Sequence, residues 1–237
     1  MNILMIDTSG PACGVALMRD GRIVYESQLT HKQTHSQRIM PMVEDALERS
    51  DTTVGEIDLF GAVVGPGSFT GVRIGVSTAK AMAHAAGKRC IGVDALEALA
   101  ANVIAFDGVV CPILDARAQQ VYGAIFRPGA VPQRLHQDDA LKLPLFLTEV
   151  EKTGQDALFL GDGVDVFEDA IRERLGARAH FAPPQHRGLR AASACALADA
   201  YVRAGGETLD YIGLLPLYLR APQAERERAA REGKAHG

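Results

Sequence analysis

The residues of this chain best suited to chemistry lie in a glycine-rich turn, GPGSFTGVRIG, at residues 65–75. The apolar run from Leu59 to Val64 predicts a buried strand before the turn, and a helix is predicted from Val72 onward. Backbone N–H groups at the start of that helix can attract an anion, and Ser68 and Arg73 lie where they could contact a nucleotide or phosphate. The same glycines also suit a tight strand-to-helix corner without a ligand. Spacing alone leaves both interpretations open, because the turn is neither a Walker A loop nor a dinucleotide fingerprint.

The elements that must position this turn follow a regular order, βββαβαβα. Three antiparallel strands are predicted first, the last two joined by Asp20-Gly21, a strong two-residue hairpin signal. A helix then begins at about His35, with apolar residues at helical spacing. The predicted segments are strands at residues 3–6, 14–18, 22–29, 59–64 and 90–94, the helix from His35, a helix at 72–86 and an alanine-rich helix ending near Ala105.

The rest of the chain is less regular. Asp107-Gly108 is the best boundary, which divides the chain into residues 1–106, residues 107–222 and a polar tail, residues 223–237. Residues 128–144 are predicted to be loop-rich. The predicted elements of the second part are strands at residues 109–115, 120–127 and 158–160 and helices at 166–175 and 191–204.

This element order is that of the half-domain repeated in actin-like and sugar-kinase-like (ASKHA) proteins, whose nucleotide lies between two such halves. The sequence therefore predicts an α/β fold with two related βββαβα-type halves, the second smaller and less regular. The last helix can pack back on the first half.

Composition limits the function further. The formal net charge of −4, from 25 basic and 29 acidic residues, argues against a surface that binds nucleic acid without another subunit. Four cysteines at positions 13, 90, 111 and 195 form no C-x-x-C pair, which indicates small buried residues. No basic leader and no apolar run near the roughly 18 residues of a membrane span are present, so we expect a cytoplasmic protein without a membrane contact.

Five motifs together resemble the TsaB (YeaZ) family over nearly the whole chain. They are Asp7-Thr8-Ser9, residues 35–42 (HSQRIMPM), residues 65–75, Asp115-Ala116-Arg117 and Pro216-Leu217-Tyr218-Leu219-Arg220. The resemblance implies a bacterial subunit for making N6-threonylcarbamoyladenosine at position 37 of tRNAs that read ANN codons. It implies a catalytic TsaD-like paralogue as heterodimer partner, a TsaE-like ATPase, self-association as a homodimer, and contact with tRNA only through the complex.

The resemblance also implies that this chain lacks the metal site of its paralogue. TsaD-like proteins carry a His-Leu-Glu-Gly-His segment whose two histidines hold a metal, and here Ala95 and Leu99 stand at those places. Their side chains cannot share an ion. His31 and His35 have i, i+4 spacing, but at a loop-to-helix junction we interpret them as a cap or an interface pair. We therefore expect no catalysis and no required cofactor for this chain alone.

Asp7, Thr8 and Ser9 leave two interpretations open. In actin-like ATPases a carboxylate at the end of the first strand helps to position metal-bound phosphate, with the following residues lining the turn. A structural turn in which Asp7 caps its own backbone fits equally well. Gly161-Asp162-Gly163 is the only candidate remnant of a second nucleotide-binding loop.

The interface hypothesis rests on two helices. Their small and apolar faces suit close helix packing in a four-helix interface, whereas the alternative places both faces against their own sheet. Lys80, together with Arg73, could supply a charged rim or touch ATP or ADP held between subunits. The predicted interface residues are His35, Ile39, Met42, Val43 and Ala46 on the first helix and Val72, Val76, Ala79, Lys80 and Ala83 on the second.

Three function classes follow. The first is the non-catalytic partner subunit just described. The second is an independent ATP-dependent phosphotransferase of actin-like fold that uses Asp7 and the glycine turn. The third is a metallopeptidase, which the missing His-Glu-x-x-His helix argues against.

Overall fold

The first half of the chain folds as three antiparallel strands followed by alternating helices and strands, in the predicted order. The computed structural model describes residues 1–30 and 34–220. Asp20 and Gly21 both have positive φ, 50° and 78°, which is the backbone of the predicted two-residue hairpin turn. The elements are β1 (Asn2–Asp7), β2 (Ala12–Arg19), β3 (Arg22–Thr30), α1 (His35–Arg49), β4 (Leu59–Gly65), α2 (Phe69–Ala86), β5 (Arg89–Asp94) and α3 (Ala95–Ala100).

The second half repeats this order of elements. After its three antiparallel strands it alternates helix and strand, and two further helices complete it. The elements are β6 (Val109–Asp115), β7 (Gln120–Arg127), β8 (Gln133–Lys142), α4 (Leu143–Lys152), β9 (Ala157–Leu160), α5 (Gly163–Leu175), β10 (Ala179–Phe181), α6 (Pro184–Arg187) and α7 (Ala191–Arg203).

Both halves have the same sheet topology. The strand orders are β3-β2-β1-β4-β5 and, read from the corresponding edge, β8-β7-β6-β9-β10. In each sheet the first strand pairs antiparallel with the second and parallel with the fourth. The predicted α/β fold with two related halves is confirmed, and the second half is more regular than its sequence suggested.

The helices cover the sheets in layers. α1 and α2 pack on one face of the first sheet, where Leu4, Ile6 and Phe60 are buried. α3 and α7 lie between the two sheets in a continuous apolar core, and α7 contacts β1 and β2. α4 and α5 cover the outer face of the second sheet. The two halves therefore share one core, which holds the loops at the ends of β1, β4 and β6 close together.

The main error of the sequence prediction concerns residues 128–144. Much of this segment is β8, a strand of 10 residues that pairs antiparallel with β7 at the edge of the second sheet. Its side chains alternate between exposed and half-buried positions, but few are apolar, so the sequence does not show the apolar–polar alternation of a half-buried strand.

Two helix bounds also differ from the prediction. α3 ends at Ala100, before the predicted Ala105, and α5 begins at Gly163, before the predicted Val166.

No helix within the described parts of the chain is long and apolar enough to cross a membrane. The prediction for the tail, residues 223–237, and the one for His31 lie outside the described residues.

Candidate functional site

The glycine-rich turn joins β4 to α2, and its hydrogen bonds are made within the protein. Ser68 is the N-cap of α2, and its Oγ accepts a hydrogen bond from Gly71 N at 3.2 Å. Ser68 N donates to the carbonyl oxygen of Ser9 at 2.7 Å, and Val72 N donates to Ser68 O at 2.8 Å. Several N–H groups at this helix start are thus already satisfied.

The glycines let α2 approach the end of β1 very closely. A Cβ atom on Gly67 would lie 2.3 Å from Ser9 O, and one on Gly71 would lie 2.0 Å from Thr8 O. On Gly75 it would lie 2.6 Å from Thr8 Oγ1. Any side chain at these positions would displace backbone or a buried hydroxyl, so close packing of helix on strand explains the glycine spacing without a ligand.

Asp7, Thr8 and Ser9 are buried and bonded internally. Asp7 is 3% exposed, and its Oδ1 accepts hydrogen bonds from Ser9 N at 2.8 Å and Ser9 Oγ at 2.7 Å. Thr8 Oγ1 donates to Gly71 O at 2.7 Å. Burial raises the pKa of Asp7, while the bonds from Ser9 and the nearby His35 oppose that rise. Asp7 therefore caps its own turn, as in the structural alternative from the sequence.

A cleft of about 510 Å³ opens between the two halves, next to this turn. On the side of the second half, Asp115 N donates to Asp162 Oδ1 at 3.0 Å, and burial raises the pKa of Asp162. Arg117, 88% exposed in its side chain, pairs with Asp115 at 3.3 Å. The lining residues are Ser9, Gly10, Pro11, His35, Pro66, Gly67, Ser68, Phe69, Leu114, Asp115, Ala116, Arg117, Tyr122, Asp162, Leu217, Tyr218, Leu219 and Arg220.

The cleft unites only part of the predicted nucleotide or phosphate site. Ser9 and Ser68 line it. Asp7 and Thr8 are buried, and neither is among the cleft-lining residues. Arg73 lies elsewhere on α2, exposed, with its guanidinium 5.0 Å from the centre of the Phe69 ring. The five residues thus do not converge on one ligand position.

Seven of the ten residues predicted for the interface on α1 and α2 face the inside of the protein. Most of the chosen residues are at most 2% exposed and pack against their own sheet. A second chain cannot reach them, so the structure corrects this choice. His35, Met42 and Lys80 keep partial exposure; His35 Nε2 lies 3.0 Å from Gly10 O, and Lys80 Nζ donates to Ile212 O at 3.4 Å. The buried residues are Ile39, Val43, Ala46, Val72, Val76, Ala79 and Ala83.

Sequence periodicity shows which residues share a helix face, but not what covers that face. The most apolar faces of α1 and α2 pack against the protein's own sheet, as in most globular proteins. The signal for the outward face was weaker: Met40, which lies off the main apolar stripe of α1, is 41% exposed.

A cluster of charged residues that the sequence did not predict links the two halves. Arg134 Nη2 of β8 lies 3.2 Å from Oδ1 of Asp94, the N-cap of α3, and 3.9 Å from Glu97 Oε2. It also pairs with Asp138. Burial raises the pKa values of Asp94 and Glu97, and Arg134 opposes both shifts. The cluster was missed because Arg134 belongs to the segment that was predicted as loop.

The α3 region, where the resemblance placed the comparison with a metal site, is apolar at the two key positions. Ala95 and Leu99 are both 0% exposed in the core between the sheets. Among the residues that the structure describes, no group of three His, Cys, Asp or Glu side chains could hold a metal ion.

Two sheets of identical topology, with shared core helices between them and a cleft at the ends of their first strands, define an α/β protein of the actin-like class. The family model for TsaD, tRNA N6-adenosine threonylcarbamoyltransferase, matches residues 24–228. The tRNA threonylcarbamoyladenosine biosynthesis protein TsaB of Bacillus subtilis is 33% identical over 226 residues, 95% of this chain and 96% of the relative. The chain belongs to the TsaB (YeaZ) family.

Other relatives agree with this assignment. TsaB of Escherichia coli is 41% identical over 129 residues, which is 54% of this chain and 55% of that protein. A crystal structure from Pseudomonas aeruginosa, described as an uncharacterized protein with similarity to peptidase YEAZ, superimposes with a TM-score of 0.78. It is 26% identical and covers 92% of this chain and 99% of its own.

Proposed function

We propose that the chain acts in the biosynthesis of threonylcarbamoyladenosine in tRNA, as the accessory subunit of a TsaD-type transferase. It binds and activates that catalytic paralogue and contributes no catalytic group. The observation that carries this proposal is the sequence identity to a protein named for this pathway over 95% of the chain.

The chemistry of the residues supports the accessory role. The Asp7 carboxylate, the best candidate for phosphate chemistry, is engaged by Ser9 N and Ser9 Oγ inside the turn. Ala95 and Leu99 offer no lone pair to a metal ion. An acid, base or metal ligand for the transfer step is therefore supplied by the partner.

The proposal also states which tRNAs are modified, which other subunits take part and whether a nucleotide binds. The tRNAs are those that read ANN codons, and with a net charge of −4 the chain reaches them through the complex rather than by itself. A TsaE-like ATPase completes the assembly, and the free chain forms a homodimer in the cytoplasm. The chain needs no cofactor of its own, and ATP or ADP at the subunit boundary would meet Arg73 and Lys80.

We place the partner surface on the outward faces of α1 and α2. Met40 on α1 is 41% exposed, and Arg73, Ser77 and Ala81 are exposed along α2. Two exposed apolar residues lie beyond α2: Ile212, whose carbonyl oxygen accepts a hydrogen bond from Lys80, and Leu215, three residues further along the chain, are each 64% exposed. A mixed surface of this kind, with methionine and arginine, is typical of protein interfaces.

The substitution Ala81→Glu tests this placement. It should weaken binding of the TsaD-type paralogue roughly 100-fold or more, because a carboxylate buried without a partner costs several kcal/mol. Ala170→Glu is the matched control, since Ala170 is also an exposed alanine of a helix, α5, on the outer face of the second sheet. Isothermal titration calorimetry of each variant against the paralogue gives the affinities.

Substitutions at Val43 or Val76 would not serve this purpose. Both residues are buried in the protein's own core, so a charge there would unfold the chain whether or not a partner binds. Unchanged affinity of a folded Ala81→Glu variant would contradict the proposed surface. Failure of the wild-type chain to bind the paralogue at all would contradict the proposed function.

A further inference from the structure

The segment after α7 returns across the first half of the protein. Leu209 pairs with Cys90 at the edge of β5, through Cys90 N to Leu209 O at 2.7 Å and Leu209 N to Cys90 O at 2.8 Å. Further on, the carbonyl oxygen of Ile212 accepts a hydrogen bond from Lys80 of α2. These hydrogen bonds hold the segment against β5 and α2 on its path to the glycine-rich turn.

At the glycine-rich turn the segment is anchored to the first half. Leu217 N donates to Val64 O at 2.7 Å, and the ring of Tyr218 stacks on Phe69 with centroids 4.8 Å apart. A Cβ atom on Gly65 would lie 2.6 Å from Leu217 O. Gly65 therefore leaves the space that the segment occupies.

Arg220 then crosses to the second half. Its Nη1 donates to the carbonyl oxygen of Ala116 at 2.8 Å, in the connection between β6 and β7. The next residues of that connection, Arg117, Ala118 and Gln119, all have positive φ, between 51° and 65°, a backbone conformation that costs energy in residues other than glycine. The charge-assisted bond from Arg220 thus supports the base of a loop that needs support.

We propose that residues 216–220 are a strap that holds the β6–β7 loop at a fixed position relative to the first half. Leu217 and Tyr218 fasten the strap to the glycine-rich turn, and Arg220 fastens it to the loop. Because Leu217, Tyr218 and Arg220 all line the cleft, the strap also forms one of its walls. Release of Arg220 frees the loop and widens the cleft. This inference concerns the chain alone and does not depend on the proposed function.

Distance measurements between spin labels test the strap. Labels on Glu48→Cys in α1 and Ala118→Cys in the loop report the distance between the first half and the loop. Both positions are exposed, so each can carry a label. The four native cysteines are buried, so they do not compete for label. Labelled chain is diluted into unlabelled chain, which removes distances between copies.

The strap predicts a single narrow distance distribution for the labelled wild-type chain and a broader or longer one for Arg220→Ala and for Tyr218→Ala. Amide hydrogens of the β6–β7 loop should also exchange about tenfold faster in Arg220→Ala. Arg49→Ala is the control, because Arg49 pairs with Asp45 of the same helix. Distributions and exchange rates that match wild type in folded Arg220→Ala and Tyr218→Ala would overturn the proposal.

Discussion

At the scale of single residues, the polar side chains that look most reactive in the sequence serve the turn in which they lie. Asp7 is the clearest case, since its Oδ1 accepts hydrogen bonds from the backbone N–H and the hydroxyl of Ser9, two residues away. The sequence alone predicts a turn at the end of β1, and it allows either a phosphate-binding or a self-capping role for Asp7. Which alternative holds depends on how closely α2 approaches the end of β1, and that distance cannot be predicted from the local sequence.

Two substitutions of Asp7 should separate structure from chemistry. Asp7→Ala leaves the buried N–H and hydroxyl of Ser9 without an acceptor and should lower the free energy of unfolding by about 1–3 kcal/mol. Asp7→Asn keeps an acceptor oxygen and should retain both the fold and the support of tRNA modification. Urea denaturation and the modification assay measure the two effects. Loss of modification in a stable Asp7→Asn variant would return Asp7 to a chemical role.

The pKa of Asp7 adds a prediction about pH. Burial raises the pKa of Asp7 above the ordinary aspartate value of 3.8, so the folded protein binds the proton more tightly than the unfolded chain. The contribution of Asp7 to stability is therefore present below that value and is lost as pH rises through the folded-state pKa. The stability of Asp7→Asn relative to wild type should rise with pH across this window, as measured by urea denaturation at several pH values. A flat difference would mean that the carboxyl is not desolvated.

At the scale of elements, the protein uses the same packing solution in both halves. Glycines bring α2 onto the end of β1, and in the second half a Cβ on Gly161 would lie 2.1 Å from Ile113 O of β6. The sequence predicted the strand, turn and helix around each glycine group. It could not reveal what the glycines approach, because that contact joins elements distant in the chain.

The substitution Gly71→Ala tests this packing. Alanine normally stabilises a helix by up to about 1 kcal/mol relative to glycine. Here the new methyl group would meet the Thr8 carbonyl oxygen at 2.0 Å, so we expect a net loss of about 2 kcal/mol or more in unfolding free energy. Gly55→Ala, where nothing lies within 4 Å, is the control and should be near neutral. Equal melting temperatures for the two variants would contradict the close approach.

At the scale of the whole molecule, the duplicated α/β architecture was predictable because the order of elements in the first half is regular. The partner of each helix face was not, since Val43 and Val76 carry the same pattern whether a sheet or a second chain covers them. The link through Arg134 was also hidden, because polar residues dominate β8. Long-range contacts, rather than local propensity, decided all of these points.

The ion pairs of Arg134 join the two halves, so their loss should lower the stability of the whole fold. Arg134→Ala leaves the carboxylates of Asp94, Glu97 and Asp138 together without their cation. We expect a loss of about 2–3 kcal/mol in unfolding free energy, less than for a fully buried pair because the Arg134 side chain is 25% exposed. Lys142→Ala, at an exposed position of the same strand, should change stability by less than about 0.5 kcal/mol.

The pH dependence identifies the cause of that loss. Without Arg134 to oppose the effect of burial, the pKa values of Asp94 and Glu97 should rise further, so the difference between Arg134→Ala and wild type should be smaller at mildly acidic pH than at neutral pH. Calorimetric melts at the two pH values measure it. A difference that is independent of pH would indicate lost packing, such as the contact of Arg134 with the Phe126 ring, rather than charge.

The measurement that most directly tests the accessory role is incorporation of threonylcarbamoyl into tRNA by a reconstituted mixture. The chain is present, omitted, or supplied without the TsaD-type paralogue. The account predicts modification only when both chains are present, and unchanged modification when Asp7→Asn replaces the wild-type chain. Modification by this chain without its paralogue, or full modification in its absence, would contradict the account.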